Sequence, residues 1–172
     1  LGDTNASTRV SLSIVKAGAS QNAGTISGSN TSEVIVAKDV AFSNTGTIDL
    51  GQDGSLEVTG TLTNVYTPAV LKDDKKTVKT PAVAGTINAN TLTIKNGGVV
   101  DTEFVIADSG DANTQIATKD TYTVKTTTIE EGGKFVTSLN GQVDTSKDPK
   151  DIVELKQNFV LAGGEIVERT SN

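Results

Sequence analysis

Chemistry in this chain has to be built from carboxylates, hydroxyls and amides, because its 172 residues include no His, Cys, Met or Trp. A Ser-His-Asp triad, a Cys-His pair and an imidazole or thiolate metal site are all excluded. Carboxylate pairs remain, since two of them flanking a cleft suffice for glycosidic cleavage. Asp101 with Glu103, and Glu130 with Glu131, are the candidates by proximity. Glu130 and Glu131, however, occupy a turn motif whose equivalent positions are Lys95-Asn96, Gly51-Gln52 and Leu161-Ala162, so they read as exposed corner residues. Calcium has two candidate loops. Asp108, Asp111 and Asn113 place oxygen atoms around a glycine, and Asp49 with Asp53 does so more loosely. Neither matches an EF-hand loop or a glycine-rich nonapeptide repeat, and both read as solvated acidic loops. We therefore expect no catalytic, cofactor-binding or metal-binding residue, and no enzyme.

The conspicuous pattern builds backbone instead. Leu50-Gly-Gln-Asp53-Gly54-Ser-Leu56, Ile94-Lys-Asn-Gly97-Gly98-Val-Val100, Ile129-Glu-Glu-Gly132-Gly133-Lys-Phe135 and Val160-Leu-Ala-Gly163-Gly164-Glu-Ile166 share one format. Each predicts two short strands joined at a tight corner, where glycine supplies a backbone conformation that other residues resist. A second recurrence, Gly24-Thr25-Ile26, Gly46-Thr47-Ile48, Gly60-Thr61-Leu62 and Gly85-Thr86-Ile87, is spaced by 22, 14 and 25 residues, as coils of unequal loop length would be.

Between these corners the apolar residues alternate with polar ones, the period of a half-buried strand. Val10, Leu12 and Ile14 form the clearest case, and further strands are expected around 34–36, 40–42, 47–50, 56–58, 61–63, 85–100, 104–107, 122–129 and 134–139. A polar loop is expected at 108–120. One short helix is predicted at 149–157, where Asp148 caps and Pro149 opens the first turn. Lys72-Asp-Asp-Lys-Lys76 lies between Thr67-Pro-Ala-Val70 and Thr80-Pro-Ala-Val83, which predicts a protruding hairpin with a solvated tip. The division drawn from these signals is an N-terminal strand at 1–19, readable as an inter-subunit arm, and a single β domain at 20–172 with a hairpin insertion at about 64–84.

The net charge of −6 has the wrong sign for a phosphate backbone, so no nucleic acid partner is expected. No run of 18 apolar residues suggests a membrane span, and no signal-peptide core is visible. Six aromatic residues, four Phe and two Tyr, offer little for a sugar-stacking platform. Sequons at Asn5 and Asn30 are no more than such a composition produces by chance.

The phrasing of residues 44–64 and 84–98 resembles bacterial surface β-solenoids such as autotransporter passengers, large adhesins and some surface-layer proteins. That resemblance implies an extracellular scaffold of stacked short strands, with no catalytic residue to carry over. The expected fold is all-β: a β-solenoid or β-helix-like stack, with a Greek-key β-sandwich as the rival. The expected function is an extracellular structural subunit, secreted to the cell surface, that self-assembles into a filament or layer. Its partner would be itself, by strand addition through Val10, Leu12 and Ile14. The alternatives are an adhesin using surface loops and a β-helical polysaccharide-processing enzyme.

Overall fold

The computed structural model describes residues 10–28, 31–103, 121–137 and 158–168. Its chain winds into stacked coils. The first holds β1 (Val10–Ile14), β2 (Gly18–Asn22) and β3 (Thr25–Ser27), and the second β4 (Ser32–Val36), β5 (Val40–Asn44) and β6 (Thr47–Asp49). The third begins with β7 (Ser55–Val58) and β8 (Thr61–Asn64), then departs into a hairpin made of β9 (Tyr66–Thr67), β10 (Val70–Leu71), β11 (Val78–Thr80) and β12 (Val83–Ala84). On return, β13 (Thr86–Ile94) closes the third coil and opens the fourth, which continues in β14 (Val99–Thr102). β15 (Tyr122–Glu130) repeats that double duty before β16 (Lys134–Thr137), and β17 (Asn158–Ala162) with β18 (Glu165–Glu168) forms the last coil.

Every strand ladder between coils is parallel, and one isolated antiparallel bridge, Glu130 to Gly163, sits at a corner. One face is ordered β1-β4-β7-β13-β15-β17 and another β2-β5-β8-β14-β16-β18, while β3, β6 and the first parts of β13 and β15 make a third, shorter face. The fold is therefore a parallel β-solenoid. A Greek-key sandwich is ruled out, because its sheets are antiparallel, and here the antiparallel strand pairs among the described residues are confined to the hairpin. Val10 pairs with Ser32 and Glu33 with Ser55, so an undecorated coil is 22 residues long (32 − 10 and 55 − 33).

Register converts the alternating sequence into columns. Leu12, Val34, Leu56, Leu92, Thr127 and Phe159 stack in one column and Ile14, Val36, Val58, Ile94, Ile129 and Leu161 in the next. Phe42, Leu62, Val100, Phe135 and Ile166 line the second face, and Ile26, Ile48, Ile87 and Tyr122 the third. Most of these side chains in the middle coils are fully buried, each contributing about 1.5–3 kcal/mol of transfer free energy. Two departures from the aliphatic pattern answer one another: the buried Tyr122 hydroxyl lies 2.7 Å from the Thr127 hydroxyl, so each polar group finds its partner inside the core. Burial pushes the Tyr122 phenol above its ordinary range. Its ring meets Phe135 edge-on at 5.3 Å, and Phe135 meets Phe159 likewise at 5.0 Å.

Two expectations about the repeats need correction. Three of the four glycine motifs make the corner between the first and second faces, but Leu50–Leu56 turns from β6 to β7, a different corner. In the second coil the matching turn is Ala37-Lys-Asp39, with Asp39 in the left-handed region at φ 65°, where Gly97 and Gly132 sit in later coils at 80° and 77°. Gly24-Thr-Ile, Gly46-Thr-Ile and Gly85-Thr-Ile do occupy one stacked position, since Thr25, Thr47 and Thr86 pair in register. Gly60-Thr61-Leu62 instead starts β8 on the second face, so a three-letter match there carries no coil information. Residues expected as a strand at 104–107, a loop at 108–120 and a helix at 149–157 lie outside the described residues, as do Asn5 and Asn30.

Candidate functional site

Three of the carboxylates singled out for chemistry, Glu103, Glu130 and Asp49, are held in structural contacts. Asp101 stands on the outward side of β14, in register between Thr63 and Val136. Glu103 follows that strand, and its Oε2 accepts from the backbone N–H of Tyr66 at 3.2 Å, tying the base of the hairpin to the next coil. Glu130 pairs with Lys95 one coil away at 3.1 Å, on the exposed corner; this ion pair raises the Lys95 ammonium pKa. Asp49 accepts from the backbone of Gly51 at 3.1 Å and from Asn88 Nδ2 at 2.8 Å, so it caps a turn and staples two coils. No cluster of three metal-ligating side chains occurs among the described residues. Asp108, Asp111 and Asn113 lie outside them.

A feature absent from the sequence expectations organises the corner between the second and third faces. Asn22, Asn44 and Asn64 are register mates at the ends of β2, β5 and β8. Asn22 Nδ2 donates to Asn44 Oδ1, and Asn44 Nδ2 donates to Asn64 Oδ1, both at 2.9 Å. The remaining amide hydrogens go to backbone carbonyls: Asn22 reaches Thr47 (3.1 Å) and Asn44 reaches Thr86 (3.0 Å), each in the next coil, while Asn64 donates to Gly85 of its own corner (2.8 Å) and to Thr121 of the next coil (3.4 Å). The result is a buried amide ladder along the axis, in which each carboxamide both accepts and donates. Glycine follows because the backbone must cross tightly here: a Cβ on Gly46 would overlap the Gly24 carbonyl oxygen, and one on Gly85 would overlap that of Asn44. The recoverable signal is Asn22-Ala-Gly24-Thr and Asn44-Thr-Gly46-Thr, an Asn-x-Gly-Thr motif repeated after 22 residues.

The hairpin is inserted into this motif. Removing residues 66–84 from the sequence leaves Asn64-Val65-Gly85-Thr86, the same four-residue corner. Its arms break together: Thr67 faces Val83, Val70 faces Thr80, and the Pro-Ala pairs 68–69 and 81–82 fall between them, where proline's missing N–H costs no ladder bond. At the tip the Asp74 carboxylate accepts from the backbones of Lys76 (2.9 Å) and Thr77 (2.7 Å) and from the Thr77 hydroxyl, contacts that lower its pKa. Val70 and Val83 are exposed on the arms.

The two ends of the stack form the other unusual surface. Among the described residues β1 and β2 have strand neighbours on one side alone, and so do β17 and β18. At the C-terminal end the interior columns emerge uncovered, with Leu161 57% and Ile166 46% exposed. At the N-terminal end Leu12, Ile14 and Ile26 are only partly buried, although they occupy the same columns. Val10–Ile14 thus belongs to the first coil, paired to β4, and presents its outer edge.

Among the described residues this geometry defines a parallel β-solenoid with a hairpin at one corner and outer strands at both ends that have a strand neighbour on one side alone. No family model, curated protein or solved structure matches the chain.

Proposed function

We propose that the protein is a structural subunit of an extracellular assembly, a solenoid rod that self-associates into a cell-surface filament or layer. The observation that carries this reading is the pair of ends: among the described residues each outer strand has a strand neighbour on one side alone and borders apolar columns that elsewhere are buried. Such edges template pairing with another chain. The inward-facing side chains of the middle coils are spent on packing, and Glu103, Glu130 and Asp49 on stapling one coil to another, which suits a scaffold. No helix among the described residues is long and apolar enough to cross a membrane. Electron microscopy and sedimentation of the purified chain test the proposal. Ordered fibres or sheets are expected, and a monodisperse monomer at all accessible concentrations refutes it.

A second reading, an adhesin, is favoured by the decorated corner. The hairpin projects from the solenoid with an ordered, charged tip and apolar flanks at Val70 and Val83, a rigid scaffold presenting a loop. Deleting residues 66–84 separates the readings: self-assembly survives the deletion, whereas binding to a hairpin partner is lost.

A further inference from the structure

Resting on the self-assembly reading, we infer that copies of this chain stack head to tail in one register, the last coil of one copy carrying the first coil of the next. The partner is a second copy because the two open ends continue the same columns. Thr127 pairs with Phe159 as Leu56 pairs with Val34 and Val34 with Leu12, so Phe159 and Leu12 are successive members of one column across the junction. By the same rule Leu161 meets Ile14, and Ile166 meets Ser20, whose small side chain leaves room for it. Backbone polarity agrees: a parallel ladder presents on the outer edge of β17 the same slanted donors and acceptors that β1 presents to β4, facing the edge of β1 that is open.

The resulting contact joins two different surfaces of the subunit, and its operation is a step along the solenoid axis. It does not close on itself. Heterologous contacts of this kind generate open filaments rather than rings. The solenoid becomes continuous, and the junction differs from an internal coil step only in lacking a peptide bond.

The register yields a direct test. Ser13 and Val160 are outward-facing and become directly opposed across the junction, at the spacing of about 4.8 Å between neighbouring parallel strands, within reach of a disulfide. Ser11 is two residues off, which places its Cα roughly 8 Å from that of Val160, beyond bridging distance. The chain has no cysteine of its own, so bridges report only the introduced pair. Full-length S13C/V160C, oxidised under assembly conditions, is expected to give a ladder of covalent multimers on a non-reducing gel, while S11C/V160C and the single variants do not. If the unmodified chain assembles but S13C/V160C fails to bridge, or S11C/V160C bridges instead, the register is wrong while self-assembly stands. If the unmodified chain never assembles, both fall.

Discussion

Replacing Asn44 by Ala puts the amide ladder to its hardest test. The side chain is fully buried and makes three hydrogen bonds, accepting from Asn22 and donating to Asn64 and the Thr86 carbonyl. Truncation leaves one Asn22 amide hydrogen and the Asn64 oxygen without partners, and deprives the Thr86 carbonyl of one donor. A buried polar atom left unpaired costs about 1–3 kcal/mol, and the carbonyl suffers least because it has a second lone pair. The two orphaned amide atoms set the scale, giving a loss of about 3 kcal/mol. With a urea slope of about 2–3 kcal/mol per molar for a chain of this size, the unfolding midpoint should fall by about 1–1.5 M. Asn22→Ala is the internal control. Asn22 sits at the ladder's first rung, bonded onward to Asn44 and Thr47 and accepting from the backbone of exposed Gly24; its loss orphans the Asn44 oxygen in the interior, whereas water replaces it at the Gly24 N–H, so it should cost about 1 kcal/mol. Urea titrations followed by far-ultraviolet circular dichroism measure both. Equal shifts for the two variants, or an Asn44→Ala shift below about 0.3 M, would show that the ladder does not hold this corner.

Other outcomes follow from neighbouring features. Gly98→Ala should destabilise the chain by about 2 kcal/mol, because its Cβ would overlap the Val58 carbonyl oxygen, whereas Gly97→Asn, at φ 80°, should cost under about 1 kcal/mol; thermal melts compare them. Deleting residues 66–84 restores an Asn-x-Gly-Thr corner and should leave a folded solenoid, recognised by an unchanged β spectrum and a cooperative melt; loss of the fold would mean that the hairpin is part of the core. The Tyr122 phenol is held above its ordinary 10.0 by burial, so the folded chain keeps a proton that the unfolded chain releases. Its contribution is therefore complete below pH 10 and declines above it, and Tyr122→Phe should flatten that alkaline decline in urea titrations between pH 9 and 11. Finally, the stacking register sets Glu168 in the row of Asn22; Glu168→Asn supplies an amide donor for Asn22 Oδ1 and should lower the concentration needed for assembly by roughly two- to tenfold in sedimentation assays.

Much of the coil was visible in the residues because alternation is a local signal. Val34, Val36, Val40 and Phe42 announce their strands and their inward faces with no help from the rest of the chain. The Gly97-Gly98 and Gly132-Gly133 corners were visible for the same reason: a left-handed residue followed by a tight crossing is a local demand. Stacked register was not, since it depends on which residue lies one coil away, and turns and insertions of different length vary that distance from 20 residues between Asn44 and Asn64 to 39 between Thr47 and Thr86. Hence Gly60-Thr-Leu looked equivalent to Gly46-Thr-Ile, although they lie on different faces. The Asn ladder hid for another reason: asparagine beside glycine ordinarily signals a turn, and its burial becomes apparent only once three copies stand in line. Asp101 and Glu103 looked like a pair through nearness in sequence, while the fold gives Glu103 to the hairpin base.

The one-coil reach of every solenoid pairing has a mechanical consequence. Among the described residues no solenoid strand pairs beyond the coil before and the coil after, so energetic coupling decays along one dimension, as in other stacked repeats. Force applied evenly along the axis loads the ladders of all faces together, pulling whole coils apart at once, whereas force applied to the chain ends peels a single coil at a time. A filament of such rods would resist axial tension strongly yet yield by orderly unwinding from a free end, releasing slack in coil-sized steps instead of failing at once.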